Sequence, residues 1–310
     1  AAHRAPHSAP RSPRTPPCQQ PAMLLLLLSP AKTINAGAKV VAGAPKPTVP
    51  CFLSGAMRPV LHKARGLSQA DIKASMGVSA PLAALNFERY RDWEALDELP
   101  AAAAFDGPAY KHLSAGGMSK EQISECQRKV RILSGLYGLL RPLDEIRPYR
   151  LEMGTKLPVG SKPTLAKYWQ QHVSPALNEA FAAAPAGEPK VLVNTASKEY
   201  FDAVDVKALA EDVQLLTIKF PGPAVYAKQA RGGICRYAVE TKATTAEDLQ
   251  GFKGQEGEWS FAGAEETPLF KGSDRTQVEY TFTRVGGGGS GGEKASGAKG
   301  GAKSGGKRKR

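Results

Sequence analysis

The apolar positions of this chain fall into two rhythms. Short continuous runs suit strands buried on both faces, and apolar residues three and four apart suit helices with one buried stripe. Residues 23–28, a methionine and five leucines, predict a strand that Ser29-Pro30 cuts off. Helices are predicted over 68–76 and 79–93, the second opened by a serine cap with Pro81 in its first turn. Ser119-Lys-Glu-Gln122 has the capping-box pattern; Ile123, Cys126, Val130 and Leu133 follow at helical spacing, and Gly135 supplies the stop. Residues 165–181 predict a helix with Tyr168, Trp169, Val173, Leu177 and Phe181 on or near one face. Two strands, 191–193 and 214–220, flank a largely helical 197–209, a strand-helix-strand unit with parallel pairing. Residues 226–240 read as a helix despite Gly232-Gly233, and Val278, Tyr280 and Phe282 alternate with polar residues as a half-exposed strand. The sum predicts a mixed α/β fold, a single domain around a central sheet.

Both ends break these rhythms. Residues 1–22 hold six prolines, three arginines and no acid, a composition expected to be disordered. Two readings of this head stay open: upstream sequence ahead of a start at Met23, or a transit-like segment. Residues 286–310 hold eleven glycines and seven Lys/Arg against one Glu, the makings of a flexible basic arm. Lys307-Arg308-Lys309-Arg310 resembles a nuclear localisation cluster; a solubilising tail is the other reading. The folded domain is therefore bounded at 23–285.

Charge changes the picture less than its total suggests. Of the net +13, the head carries +3 and the tail +6, which leaves +4 for residues 23–285. With 42% apolar and 23% charged residues, the bulk of the 310-residue chain is globular. The leucine run is far shorter than the ~20 residues a membrane helix needs, so no membrane partner is expected. A cytoplasmic location follows, with a nuclear (tail) or organellar (head) address as alternatives. Cys18, Cys51, Cys126 and Cys235 show no CxxC spacing, and no histidine sits at ligand spacing from them. No metal site and no cofactor are expected, and Cys126 and Cys235 read as buried, unreactive thiols.

Candidate chemistry concentrates in a few segments. Between Arg128 and Arg150 stand six Lys/Arg against two acids, with Tyr137 and Tyr149 interleaved. Helix, then Gly135-Leu-Tyr-Gly138, then a new apolar stretch is the layout of a helix-hairpin-helix, whose glycines let backbone N–H groups approach a phosphate. The other reading makes Gly135 a helix C-cap and Gly138 a turn glycine, with the arginines solvated. Asn194 and Ser197 follow a predicted strand, where open α/β sheets place ligands, though capping alone also accounts for Ser197. Lys228 and Arg231 stand three apart on one helical face, as an anion clamp or as solvated charge. Ser29-Pro-Ala-Lys32 matches the Ser-x-x-Lys motif of acyl enzymes, but so do two stretches of the glycine tail. What remains is position: Ser29, Lys32 and Thr33 follow a strand, as binding loops do.

Taken together, LLLLLSPAKT (24–33), ILSGLYGLLRPLDEIRPYRLEMG (132–154), NTASKEYF (194–201) and YAKQARG (226–232) resemble the YaaA family of peroxide-stress proteins. Weaker likeness, including FDGPAYKHL (105–113), extends it over residues 23–285. The resemblance implies one mixed α/β domain of unusual topology, with a positively charged cleft and a helix-hairpin-helix-like element. It also implies binding to double-stranded DNA and a role in limiting iron-mediated oxidative damage under hydrogen peroxide. It brings no cofactor. The head and tail are foreign to the bacterial pattern and give the chain a eukaryotic look. Lys219-Phe220-Pro221-Gly222-Pro223 runs almost directly into Val225, where family members have a longer strand pair, which puts the placement of Lys228 and Arg231 in question.

Three functions follow. In the first, a stress protein binds duplex DNA: Arg128, Lys129, Arg131, Arg141 and Arg150 contact phosphates, Gly135 and Gly138 admit the backbone, and Tyr137 or Tyr149 packs on sugar or base. The alternative is an enzyme acting on a phosphorylated or nucleotide-like small molecule, with Ser29, Lys32, Thr33, Asn194, Ser197, Glu199, Tyr200, Lys228 and Arg231 converging in one cleft. A scaffolding protein, with turn glycines and surface arginines, is the third.

Overall fold

The computed structural model describes residues 24–38, 44–184 and 188–285. The expected disordered head and basic tail, and the nuclear and organellar addresses read from them, lie outside these residues.

The chain opens with β1 (Leu24–Leu28) and the short β2 (Thr33–Ile34), then three helices, α1 (Met57–Arg65), α2 (Gln69–Met76) and α3 (Ala80–Arg91). A compact stretch follows: β3 (Leu99–Pro100), α4 (Ala101–Ala104), β4 (Phe105–Asp106) and α5 (Pro108–Leu113). Next come α6 (Lys120–Lys129), β5 (Val130–Ser134), β6 (Gly138–Leu140), β7 (Glu145–Ile146) and α7 (Leu165–Ala182). The last third holds β8 (Lys190–Asn194), α8 (Lys198–Phe201), β9 (Val213–Lys219), α9 (Ala224–Glu240), β10 (Trp259–Pro268) and β11 (Thr276–Arg284).

Seven strands form the central sheet in the order β10-β11-β9-β8-β1-β5-β6. The five inner strands pair parallel, and β10 and β6 close the two sides antiparallel. Parallel strands covered on both faces need continuous apolar runs, and every leucine of β1 is buried. From β1 the chain pairs first with β5 on one side and later with β8 on the other. The connections thus diverge at the carboxyl end of β1, the place where open α/β sheets open a crevice. The mixed α/β fold and the parallel β8–β9 unit are as the sequence predicts.

Local signals account for the helix starts. Ser68 and Ser119 each accept from the backbone N–H three residues on, and Asp71 and Gln122 answer with a contact back to the cap, two complete capping boxes. The expected long helix after Ser119 does not form, however. It stops at Lys129, and Val130 and Leu133 belong to β5, where they are buried on a strand pairing with β1. Their spacing fits both periods, and sheet pairing decides between them. The region 197–209 is likewise mostly irregular, with one helical turn at α8 and a 3-10 turn at Val206–Ala208. The α1 helix and β10 were not foreseen; β10 is an edge strand with a bulge near Gly263 and a broken exposure pattern, so it lacks clean alternation.

The helix-hairpin-helix is corrected as well. Gly135 and Gly138 flank the turn of a β-hairpin between β5 and β6. Their reason is packing rather than phosphate approach. A Cβ on Gly135 would lie 2.3 Å from the Leu151 carbonyl oxygen, and one on Gly138 would lie 2.4 Å from the Trp169 ring. Trp169 Nε1 donates to the Gly135 carbonyl at 2.9 Å, locking α7 against the turn.

Candidate functional site

A cleft of about 400 Å³ opens at the carboxyl ends of β1 and β8. Its floor follows from the parallel pairing that sets Leu27 opposite Asn194. Thr195 extends that pairing, its N–H and hydroxyl both donating to the Leu27 carbonyl at 3.1 and 2.6 Å. Asn194 Oδ1 then accepts from Ala196 N–H at 3.0 Å, a side-chain turn that bends the chain back. The bend presents Ser197 N–H to Ser29 Oγ at 2.9 Å. Tyr110 Oη donates to the Ser29 carbonyl at 3.0 Å, so α5 and the loops after β1 and β8 meet at one serine.

The opposite wall is α9. A Cβ on Gly232 would fall 1.7 Å from the Ala109 carbonyl oxygen, so only glycine lets α9 press against α5. That approach sets Lys228 and Arg231 into the cleft, whose lining they share with Gly107 and Tyr110. The direct join Lys219-to-Val225 therefore does not displace them; Pro223 caps α9 and Gly222 turns the chain at φ 121°.

The electrostatics are uneven. Burial withdraws water from the Arg231 guanidinium and pushes its pKa down. Arg231 Nε is buried and has no hydrogen-bond partner among the described residues. Lys32 contacts Glu152 at 3.0 Å, and Glu199 Oε1 accepts from Gly154 N–H at 2.9 Å. Burial, with Tyr149 and Glu199 nearby, pushes the Tyr200 phenol far up, so it stays neutral.

The cleft is lined by Ser29, Lys32, Thr33, Ser197, Glu199, Tyr200, Lys228 and Arg231. Asn194 is buried and spends its side chain on the turn instead. Ser29 and Lys32 make no acyl-enzyme pair in this geometry: the lysine points to Glu152, and Ser29 Oγ faces Ser197. Asp106, Gly107, Tyr110 and Thr195 also line the cleft and were missed. The first three lie in the weakly matching FDGPAYKHL stretch, which carries no motif of its own.

The basic stretch goes elsewhere. Lys129 is buried, with Nζ 2.9 Å from Glu125 and against the Ala243 carbonyl. Arg131 is buried and donates to the carbonyls of Gln127, Arg128 and Val130 at the end of α6. Tyr137 and Tyr149 are core residues, edge to face at 5.4 Å; Tyr149 shares a 2.6 Å hydrogen bond with Ser134. Arg128 pairs with Glu125, Arg141 with Asp144 at 3.1 Å, and Arg150 with Glu152 at 2.9 Å. Its arginines and lysine close ion pairs and helix carbonyls instead of lining one exposed stripe.

No helix among the described residues is long and apolar enough to cross a membrane. The family model described as peroxide stress protein YaaA matches residues 23–264. A UPF0246 protein of Verminephrobacter eiseniae is 42% identical over 239 residues, 74% of this chain and 90% of the relative. One from Jannaschia sp. is 41% identical over 237 residues, 74% and 89%. One from Phenylobacterium zucineum is 38% identical over 274 residues, 84% and 95%. These relatives are bacterial and lend no support to the eukaryotic look of the flanks.

Proposed function

The chain belongs to the YaaA family of peroxide stress proteins, and from that premise we propose that its cleft binds a small phosphorylated or nucleotide-like anion. One observation carries this reading: Arg231 enters the cleft with a buried Nε that no group among the described residues accepts from. A guanidinium taken out of water without a partner is costly, and a phosphate oxygen is the acceptor that matches its fork of donors. Lys228 stands one turn away as a second cation. If the bound molecule reacts, Glu199 is the acid–base group beside it and Tyr200 a neutral donor. The setting of this binding is the response to hydrogen peroxide, with limitation of iron-mediated damage as its consequence.

Calorimetric titration with inorganic phosphate, ribose 5-phosphate and AMP tests the reading. At least one should bind, and Arg231→Ala should weaken it by about 10- to 100-fold, the worth of one or two charge-assisted hydrogen bonds. Equal affinity in wild type and variant would overturn it.

Duplex DNA is the second reading, favoured by exposed Lys32 and Lys228 on the cleft wall. Its phosphates would meet these ammonium groups at the mouth rather than the buried or ion-paired cations of the 128–150 stretch.

A further inference from the structure

Glu152 serves two cations with one oxygen: its Oε1 lies 3.0 Å from Lys32 Nζ and 2.9 Å from Arg150 Nη2. Lys32 lines the cleft, so this contact runs from the cleft wall to the loop after Arg150. The same loop holds Glu199 through Gly154 N–H, which ties it to the other side of the cleft. Arg150 is incompletely satisfied. Its side chain is only 16% exposed, and its Nε is buried with no acceptor among the described residues. The Lys32 side chain is 64% exposed, so its pairing with Glu152 is solvent-screened and easily exchanged.

A carboxylate oxygen bridging two cations while a third donor goes unmet resembles an under-filled phosphate site, since a phosphate offers three oxygens to such donors. We propose that Glu152 is a specificity-determining residue, standing where a second anionic group of the ligand belongs. The cleft then takes a small molecule with two phosphate-like groups, one received by Arg231 and Lys228, the other by Lys32 and Arg150 in exchange for Glu152. This rests on the reading of the cleft as an anion site. Molecules with one anionic group leave Glu152 in place and gain nothing from Lys32.

The test is calorimetric titration of the full chain with ribose 5-phosphate and with ribulose 1,5-bisphosphate. In Glu152→Gln the bisphosphate should bind at least about 10-fold more tightly and the monophosphate within about 2-fold of wild type. Lys32→Gln, a change at an exposed side chain with little bearing on folding, should weaken the bisphosphate alone. An equal gain for both probes in Glu152→Gln would mean a general field effect and overturn the proposal, as would no gain for the bisphosphate. Loss of both probes in Lys32→Gln would overturn it too. Failure of the underlying reading looks different: neither these probes nor inorganic phosphate nor AMP binds wild type, or Arg231→Ala binds both as tightly as wild type, and either result removes both proposals.

Discussion

Arg231 and the two buried cysteines show opposite uses of burial. Burial lowers the arginine's pKa because water leaves the guanidinium. Such a group is a stability cost retained for binding, so Arg231→Met should raise the urea midpoint without added ligand, with a gain in unfolding free energy on the order of 1 kcal/mol. A lowered midpoint would show that the guanidinium is structurally satisfied after all. The thiols, by contrast, are comfortable as neutral groups. Burial pushes Cys235 up to about 12 and holds Cys126 well above the ordinary thiol range. Because both folded-state values are raised, their contribution is full below the unfolded thiol pKa of about 8.5 and declines as pH rises above it. Native chain at pH 8 should leave Cys126 and Cys235 unlabelled by a maleimide in peptide mass spectra, with labelling appearing in urea. Labelling of either in the folded chain would contradict their placement.

At the scale of elements, the same residue type does different work by position. Ser119 closes a capping box at the start of α6, and Ser119→Ala should cost about 1 kcal/mol in urea unfolding. Gly135 works through its missing side chain. With the Leu151 carbonyl 2.3 Å from where a Cβ would be, Gly135→Ala should cost about 3 kcal/mol. Gly55→Ala, with nothing within 4 Å, should change little and is the control. Comparable losses at both glycines would mean backbone freedom rather than packing is what Gly135 supplies. The hairpin it turns was legible as a glycine pair, yet spacing alone could not separate a C-cap, a phosphate loop and a strand turn. Strand pairing of Val130 and Ile132 with β1 separates them, and that contact spans about a hundred residues of chain.

At the scale of the whole molecule, charge partition and cleft charge lead to different DNA-binding outcomes. In the duplex reading, anisotropy titrations at several salt concentrations should give the same affinity for the full chain and for a chain ending at residue 285. Neutralising Lys32 and Lys228 should then lower the salt slope by about two. Binding that disappears with residues 286–310 would assign it to the glycine-lysine tail instead. The sequence by itself determined what local chemistry can dictate. From it come the leucine strand, the helix over 68–76, the capped helix start at Ser119, the α7 stripe, the α9 helix, and the family through its strings of matching residues. It also nominated most of the cleft, because Ser29, Ser197 and their neighbours follow strands. Only the tertiary structure decided that Arg131, Tyr137 and Tyr149 are inside, that Asn194 bends a loop, that Tyr110 reaches the site and that Glu152 pairs with Lys32. The reason is physical: capping and periodicity act over a few residues, whereas burial and ion pairing depend on which distant segments the sheet order brings together.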